Sequence, residues 1–145
     1  MKKILILNGP NLNLLGSREK NIYGEKSLND IKLVCKKKCT SNKLECEFIQ
    51  SNSEGELINF IQSVENDFDG LIINPAAFTH TSVAILDALR TLSKPKIEIH
   101  LSNIYQREEY RKKSITSEAV SGLICGFGAN SYILAIDAIN NLIYK

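Results

Sequence analysis

Residues 4–24 read ILILNGPNLNLLGSREKNIYG, and this stretch decides the fold that the sequence predicts. Residues 4–7 are apolar throughout, which is typical of a parallel strand buried on both faces. The strand ends at residues 8–11, where Gly9 allows a turn and Pro10 cannot donate to a sheet. Because ligands of α/β sheets bind at the carboxyl ends of the strands, we expect chemistry directly after this one, where the side chains of Asn8 and Asn11 can bond to backbone or to a ligand.

The polar segment that follows, residues 16–24, is interpreted as a mobile flap over that site. It is bounded by two glycines and carries Arg18 five residues before Tyr23. The alternative is a surface loop whose arginine is simply solvated.

The rest of the chain alternates helical and strand patterns. Residues 27–30 and 53–56 have the form of capping boxes that open helices. Further strands are predicted at residues 44–49, 70–73, 96–101 and 121–125. Five strands alternating with helices predict a single α/β domain over residues 1–145, with a parallel sheet in the flavodoxin-like order 2-1-3-4-5 between two helix layers.

Several polar side chains follow the third strand. Asn74 ends that strand, and His80 with the hydroxyls of Thr81 and Ser82 is predicted to begin the next helix, where free backbone amides favour an oxygen-rich ligand. A histidine at this place can also be a simple cap or turn residue, but its position after Asn74 favours ligand contact.

The fourth strand, KIEIH and Leu101, alternates in polarity, so Glu98 and His100 point to the same side. A carboxylate can bond one imidazole nitrogen and leave the other for proton transfer, which is the pairing that a general acid needs. A purely structural pair is the alternative. Arg107 and Arg111 follow four residues apart, so in a helix both could reach one carboxylate, although Glu108 and Glu109 also permit a plain solvated helix.

The helix predicted over residues 81–92 bears on assembly. Thr81 and Ile85 are predicted to face the sheet, while Val83, Leu86, Asp87 and Arg90 form the outer face. Valine and leucine suit water poorly there, so we expect a contact between subunits that includes Asp87. The alternative is an exposed aspartate among scattered apolar neighbours.

Composition excludes several classes of function. The net charge of +2 is too small to indicate a nucleic-acid or membrane partner, and no apolar run is long enough to span a bilayer. The four cysteines form no CxxC pair and are predicted to be reduced core residues that hold no metal. A cytoplasmic location is therefore expected.

With these residues in view, nearly the whole chain closely resembles the type II 3-dehydroquinate dehydratases. Four blocks in the same order carry the resemblance, namely NGPNLNLLGSREKNIYG, FIQSNSEGELI, NPAAFTHTSVAILDAL and EIHLSNIYQREEYRKKS. Leu86 and Tyr105 depart from the usual family pattern. The resemblance implies dehydration of 3-dehydroquinate to 3-dehydroshikimate by anti elimination through an enolate, without metal or organic cofactor, in trimers that assemble into a dodecamer.

The resemblance also implies roles for individual residues. Tyr23 resembles the base, His100 the acid that protonates the departing hydroxyl, and Glu98 the residue that orients it. Asn11 resembles the residue that holds a water against the enolate oxygen, and Arg18 the flap arginine that promotes ionisation of the tyrosine. The residues that resemble the substrate-binding set are Asn74, His80, Leu101, Ser102, Arg107 and Arg111, together with Asp87 reaching the site of a neighbouring subunit.

Two rival functions remain at this stage. A flavodoxin-like domain could bind a nucleotide or phosphate without catalysis, but GxxxxGK[ST] and GxGxxG patterns are absent from the sequence. An oligomeric scaffold would have no use for the ordered set of candidate catalytic residues.

Overall fold

Five parallel strands form one sheet in a computed structural model that describes residues 1–17, 19–23 and 25–145. The strands lie in the order β2-β1-β3-β4-β5. Their bounds are β1 Lys2–Asn8, β2 Leu44–Gln50, β3 Gly70–Asn74, β4 Lys96–His100 and β5 Gly122–Cys125. The predicted five-stranded parallel sheet and its strand order are confirmed.

Helices cover both faces of the sheet. They are α1 Lys20–Tyr23, α2 Leu28–Ser41, α3 Glu54–Asp67, α4 Val83–Arg90 and α5 Asn130–Ile143. Ile4 and Ile6 pack in one apolar cluster with α2 and α5, whereas Leu5 and Leu7 pack in a second cluster with α3 and α4. Because successive strand residues point to opposite faces, the continuous apolar run of β1 supplies both clusters, and the predicted three-layer fold is confirmed.

The two predicted capping boxes have different outcomes. At α2, Ser27 Oγ accepts from the Asp30 amide and the Asp30 carboxylate accepts from the Ser27 amide, so the box is complete. At α3, Ser53 Oγ accepts from the Glu56 amide at 3.2 Å, but the Glu56 carboxylate accepts from the Ser51 hydroxyl at 2.5 Å instead. Only half of the second predicted capping box is therefore formed. The Glu56 carboxylate accepts from Ser51, which directly follows β2, and not from the Ser53 amide.

Helix α4 is shorter than the predicted helix over residues 81–92, and its outer face is less exposed than predicted. It begins after Ser82, whose Oγ accepts from the Ile85 amide at 2.9 Å, because a 3₁₀ segment precedes it. Thr81 is exposed rather than facing the sheet, and Leu86 is buried rather than outward. The short 3₁₀ segment Thr116–Ala119 packs against α4 and narrows its outer face. The predicted outward positions Val83, Asp87 and Arg90 are exposed.

The turns after β1 and β3 are joined directly. The Gly9 amide donates to the Asn74 carbonyl at 2.8 Å, and a Cβ at Gly9 would lie 2.5 Å from the Pro75 carbonyl oxygen. A side chain at position 9 would separate the two turns, so glycine is required for this close approach. The contact places Asn11 and Asn74 at the same edge of the sheet.

The four cysteines are unpaired thiols, and Cys35 and Cys39 lie on the inward face of α2, buried in the core as predicted. Burial raises the pKa of the Cys35 thiol to about 12. Cys46 and Cys125 are half-buried. Across the described ranges, the structure contains no helix with the length and apolar character required to cross a membrane.

Candidate active site

A cavity of about 110 Å³ lies at the carboxyl edge of the sheet. Nine of the residues predicted from the sequence line it, namely Asn11, Tyr23, Asn74, His80, His100, Leu101, Ser102, Arg107 and Arg111. A more open outer cavity of about 810 Å³ shares Tyr23, Leu101, Ser102 and Arg107 with it, so the two volumes adjoin. The parallel strands bring these residues together because they all end at one edge.

Two of the other three predicted residues, Glu98 and Asp87, do not line the cavity. Glu98 is fully buried and contacts His100 from within the protein, and Asp87 is exposed on α4 without lining the cavity. Arg18 lies outside the described residues, so its predicted role in the flap stays a prediction. The flap interval, residues 16–24, also includes Gly24, which the structure does not describe, and the short helix α1.

The predicted hydrogen bond between Glu98 and His100 is present. His100 Nε2 lies 2.7 Å from Glu98 Oε2. An ionised carboxylate only accepts hydrogen bonds, so Nε2 carries a hydrogen and donates it. Nδ1 is then the ring nitrogen that can exchange a proton with a ligand, as a general acid requires.

Hydroxyl groups complete the surroundings of Glu98. Its carboxylate accepts from Thr79 Oγ1 at 2.8 Å, Ser114 Oγ at 3.0 Å and Thr116 Oγ1 at 2.5 Å. Burial alone would raise the pKa of this carboxyl group, but the hydrogen bonds and the charge that His100 can carry outweigh it and lower the pKa. Glu98 is therefore ionised at neutral pH despite being inaccessible to solvent.

Replacing Glu98 with glutamine is expected to change how stability depends on pH. Since the folded-state pKa of Glu98 is lowered, its ionised form stabilises the wild type above the ordinary value of 4.5, and this stabilisation is lost as pH falls through the folded-state pKa. Glu98→Gln should cost about 1–3 kcal/mol at pH 7. Its penalty should shrink at pH 3 when urea unfolding is measured at both values.

The control for this measurement is Glu45→Gln, because Glu45 is exposed on β2. That variant should match the wild type at both pH values. An equal penalty for Glu98→Gln at pH 7 and pH 3 would show that the charge of Glu98 does not stabilise the fold.

Tyr23 contacts an arginine that lies far from it in sequence. Arg107 Nη1 donates to the Tyr23 hydroxyl oxygen at 2.8 Å, and the guanidinium carbon lies 5.2 Å from the centre of the tyrosine ring. The guanidinium therefore places a positive charge and a hydrogen-bond donor at the phenol oxygen. The family resemblance implies a positive charge beside Tyr23 from Arg18 and a substrate-binding role for Arg107, and no local pattern in the sequence indicates the contact between Arg107 and Tyr23.

The two arginines do not share one helix, as the sequence had suggested they could. Arg107 follows the 3₁₀ turn Ile104–Gln106, and Arg111 ends the 3₁₀ turn Glu109–Arg111. Arg111 bonds to the Glu108 carboxylate and to the Tyr110 hydroxyl, the latter at 3.2 Å. Both arginines nevertheless line the cavity, and their positive charges make it favourable for an anion.

His80 ends the 3₁₀ segment Ala76–His80 rather than beginning a helix, which corrects the prediction from the sequence. Its Nδ1 lies 2.7 Å from the Lys113 carbonyl oxygen and therefore donates to it. Burial, the largest effect, and the nearby cationic side chains lower the pKa of His80. The ring is thus neutral at pH 7, and its Nε2 is an acceptor that suits a ligand hydroxyl.

The side chain of Asn74 is held by a residue that sequence analysis did not identify. Asn74 Nδ2 donates to the Tyr132 hydroxyl at 3.2 Å, and that hydroxyl donates to Asn8 Oδ1 at 2.6 Å. Tyr132 is fully buried on α5. A tyrosine on the inward face of an otherwise apolar helix needs a polar partner for its hydroxyl, which was the available signal.

Asn11 has a left-handed backbone conformation, with φ of 68°. The backbone amide of Asn11 donates to Asn52 Oδ1 at 3.0 Å. Asn11 is also one of the residues that line the cavity. Asparagine adopts this conformation more readily than most residues. In the described parts of the chain, no cluster of three or more His, Cys, Asp or Glu side chains is arranged to hold a metal ion.

Comparison with known proteins places this chain in a family. The sequence profile of the family described as "Dehydroquinase class II" matches residues 2–140. A protein of Clostridium acetobutylicum named 3-dehydroquinate dehydratase is 50% identical over 143 residues, which cover 99% of this chain and 99% of that protein. A protein of the same name from Clostridium botulinum is 52% identical over 144 residues, which cover 99% of this chain and 98% of that protein.

Solved structures agree. The crystal structure of type II dehydroquinase from Butyrivibrio crossotus superposes with a TM-score of 0.94 at 48% identity, covering 96% of this chain and 97% of that one. The type II dehydroquinase of Propionibacterium acnes has the same TM-score at 40% identity, covering 97% of both chains. The likeness covers nearly the whole chain, and this chain belongs to the class II dehydroquinase family.

Proposed function

We propose that this chain removes water from 3-dehydroquinate to give 3-dehydroshikimate in the shikimate pathway, which supplies aromatic amino acids. The observation that carries the proposal is the presence of two candidate proton-transfer groups on one cavity, Tyr23 beside Arg107 and His100 beside Glu98. One group can take a proton and the other can give one, as an elimination requires.

In the proposed first step, the Tyr23 phenolate takes a proton from the carbon next to the ketone, and the electron pair forms an enolate. Arg107 Nη1 donates to the Tyr23 hydroxyl oxygen at 2.8 Å, so a positive charge lies beside the atom that is proposed to take the proton. Arg18 is proposed to add a second positive charge when the flap, residues 16–24, closes. Asn11 is proposed to hold a water that donates to the enolate oxygen.

In the second step the enolate re-forms the ketone, the new carbon–carbon double bond forms and the carbon–oxygen bond breaks. His100 Nδ1 gives its proton to the departing hydroxyl, which leaves as water. Ionised Glu98 stabilises the imidazolium and sets its orientation through Nε2. Anti elimination requires the base and the acid on opposite faces of the substrate.

Substrate binding is proposed to use the remaining cavity residues. Arg111 suits the carboxylate of 3-dehydroquinate, and the neutral His80 and the side chain of Asn74 suit its hydroxyl groups. Leu101 and Ser102, which follow β4, complete the binding set.

The assembly proposed from the family resemblance is a dodecamer of trimers in the cytoplasm, each subunit a single catalytic domain. Val83 and Asp87 lie exposed on α4, which fits a contact that brings Asp87 to a neighbouring site. Light scattering of the purified protein should then give twelve times the mass of one chain.

The test of the proposed activity is direct. Mixing the protein with 3-dehydroquinate should produce the ultraviolet absorbance of the conjugated enone, without added metal or cofactor. A protein that binds a nucleotide or phosphate but leaves 3-dehydroquinate unchanged would instead be the non-catalytic binding module.

A further inference from the structure

Three hydroxyl side chains surround Glu98 and have no part in the steps above. Thr79 comes from the 3₁₀ segment before α4, while Ser114 and Thr116 come from the chain that follows Arg111. Thr79 and Thr116 are fully buried, and all three hydroxyl oxygens lie 2.5–3.0 Å from the Glu98 carboxylate. We call these three residues the hydroxyl cradle.

The cradle is connected internally as well. Thr79 Oγ1 lies 2.6 Å from Ser114 Oγ and 2.7 Å from Thr116 Oγ1. Each hydroxyl has one hydrogen, so three hydroxyl hydrogens are shared between these contacts and the Glu98 carboxylate, and His100 Nε2 supplies a fourth hydrogen to the carboxylate. A buried polar network in which each member has partners is rigid, and it favours the ionised carboxylate over the neutral acid.

Thr79 and its neighbour His80 also anchor the segment that carries the two cavity arginines. The Ile115 amide donates to the Thr79 carbonyl at 2.7 Å, and the His80 ring donates to the Lys113 carbonyl at 2.7 Å. Residues 104–112, with Arg107 and Arg111, therefore lie between the end of β4 and a docked segment, residues 113–116. One carboxylate thus contacts both the imidazole and the anchor of the arginines.

We propose that Thr79, Ser114 and Thr116 are positioning residues for the reaction. They keep Glu98 charged, which holds His100 with Nε2–H toward Glu98 and Nδ1 toward the cavity, and they fix the arginine segment relative to this pair. The inference rests on the proposed function for its effect on turnover. Among the residues that the structure describes, the charged or titratable groups that share the cavity with His100 are Tyr23, His80, Arg107 and Arg111.

Thr116→Val tests the proposal because valine keeps the shape of threonine and removes the donor. We expect kcat for 3-dehydroquinate to fall about tenfold, with KM changed less than about threefold, since the loss affects His100 more than substrate binding. The titration of the His100 imidazole resonances, followed by NMR, should move to lower pH because a less stable carboxylate stabilises the imidazolium less. Thr116→Ser should restore both properties.

The matched control is Thr40→Val, since the Thr40 hydroxyl donates to the Lys36 carbonyl at 3.0 Å on the exposed side of α2. It should leave kcat and the His100 titration unchanged. If Thr116→Val fails to fold, Ser114→Ala removes a half-buried donor of the same carboxylate and should produce the same two changes.

A Thr116→Val protein that unfolds at lower temperature but keeps the wild-type kcat and His100 titration would overturn the proposal, because the cradle would then be structural only. Wild-type protein without activity on 3-dehydroquinate would refute the proposed function instead. In that case the His100 titration in Thr116→Val still decides whether the cradle controls the Glu98–His100 pair.

Discussion

Tyr23→Phe is expected to lower kcat for dehydration of 3-dehydroquinate by about 10³-fold, within the 10²–10⁴-fold range typical of a lost general base. Phenylalanine keeps the ring beside Arg107 but has no oxygen to take the proton. The fold should be unaffected, because the side chain is half-buried at the end of a four-residue helix. The measurement is the rate of enone formation under saturating substrate.

The control is Tyr144→Phe, which removes a hydroxyl from an exposed tyrosine near the carboxyl terminus. It should keep the wild-type kcat. If Tyr23→Phe also kept it, the proton would be taken by another group and the proposed first step would be wrong.

His100→Gln is expected to lower kcat by about 10²–10⁴-fold, because glutamine can donate to Glu98 but cannot carry an acidic proton at neutral pH. The alkaline limb of the pH dependence of kcat should disappear with it, since that limb reports loss of the proton from the general acid. Rates measured across the pH range in which the wild type is active provide the test.

Proton exchange separates the two roles. In D₂O, His100→Gln should still exchange the hydrogen next to the ketone of 3-dehydroquinate, because Tyr23 can form the enolate without the acid. Tyr23→Phe should lose that exchange together with dehydration. Exchange in Tyr23→Phe, or its absence in His100→Gln, would contradict the assignment of base and acid.

The layers of the fold could be predicted because short-range patterns determine them. The apolar run 4–7 indicated a strand buried on both faces, and its alternate residues enter two separate clusters. Alternation in β4 likewise predicted that Glu98 and His100 share a side, and they are hydrogen-bonded. Both patterns depend only on the two-residue period of an extended chain.

Helical periodicity gave a wrong prediction where another segment of the chain packs on the outer face of α4. Leu86 was placed outward by its helical angle, but segment 116–119 packs on α4 and Leu86 is buried. The helical spacing of Arg107 and Arg111 also failed, because the chain there forms two 3₁₀ turns. Local sequence patterns cannot predict where a segment from a distant part of the chain will pack.

The sequence by itself determined the five strands, the edge of the sheet where polar residues collect and the shared side of Glu98 and His100, because each follows from short-range periodicity and from the common direction of parallel strands. The strand order was predicted from the likeness of the pattern to flavodoxin-like folds, and the structure confirms it. Only the tertiary structure decided that Arg107 contacts Tyr23 across 84 residues and that Tyr132 reaches Asn8 across 124. It also decided that three hydroxyls from two loops meet at one carboxylate. These contacts depend on where distant segments come to rest when the core packs, and no local spacing encodes that position.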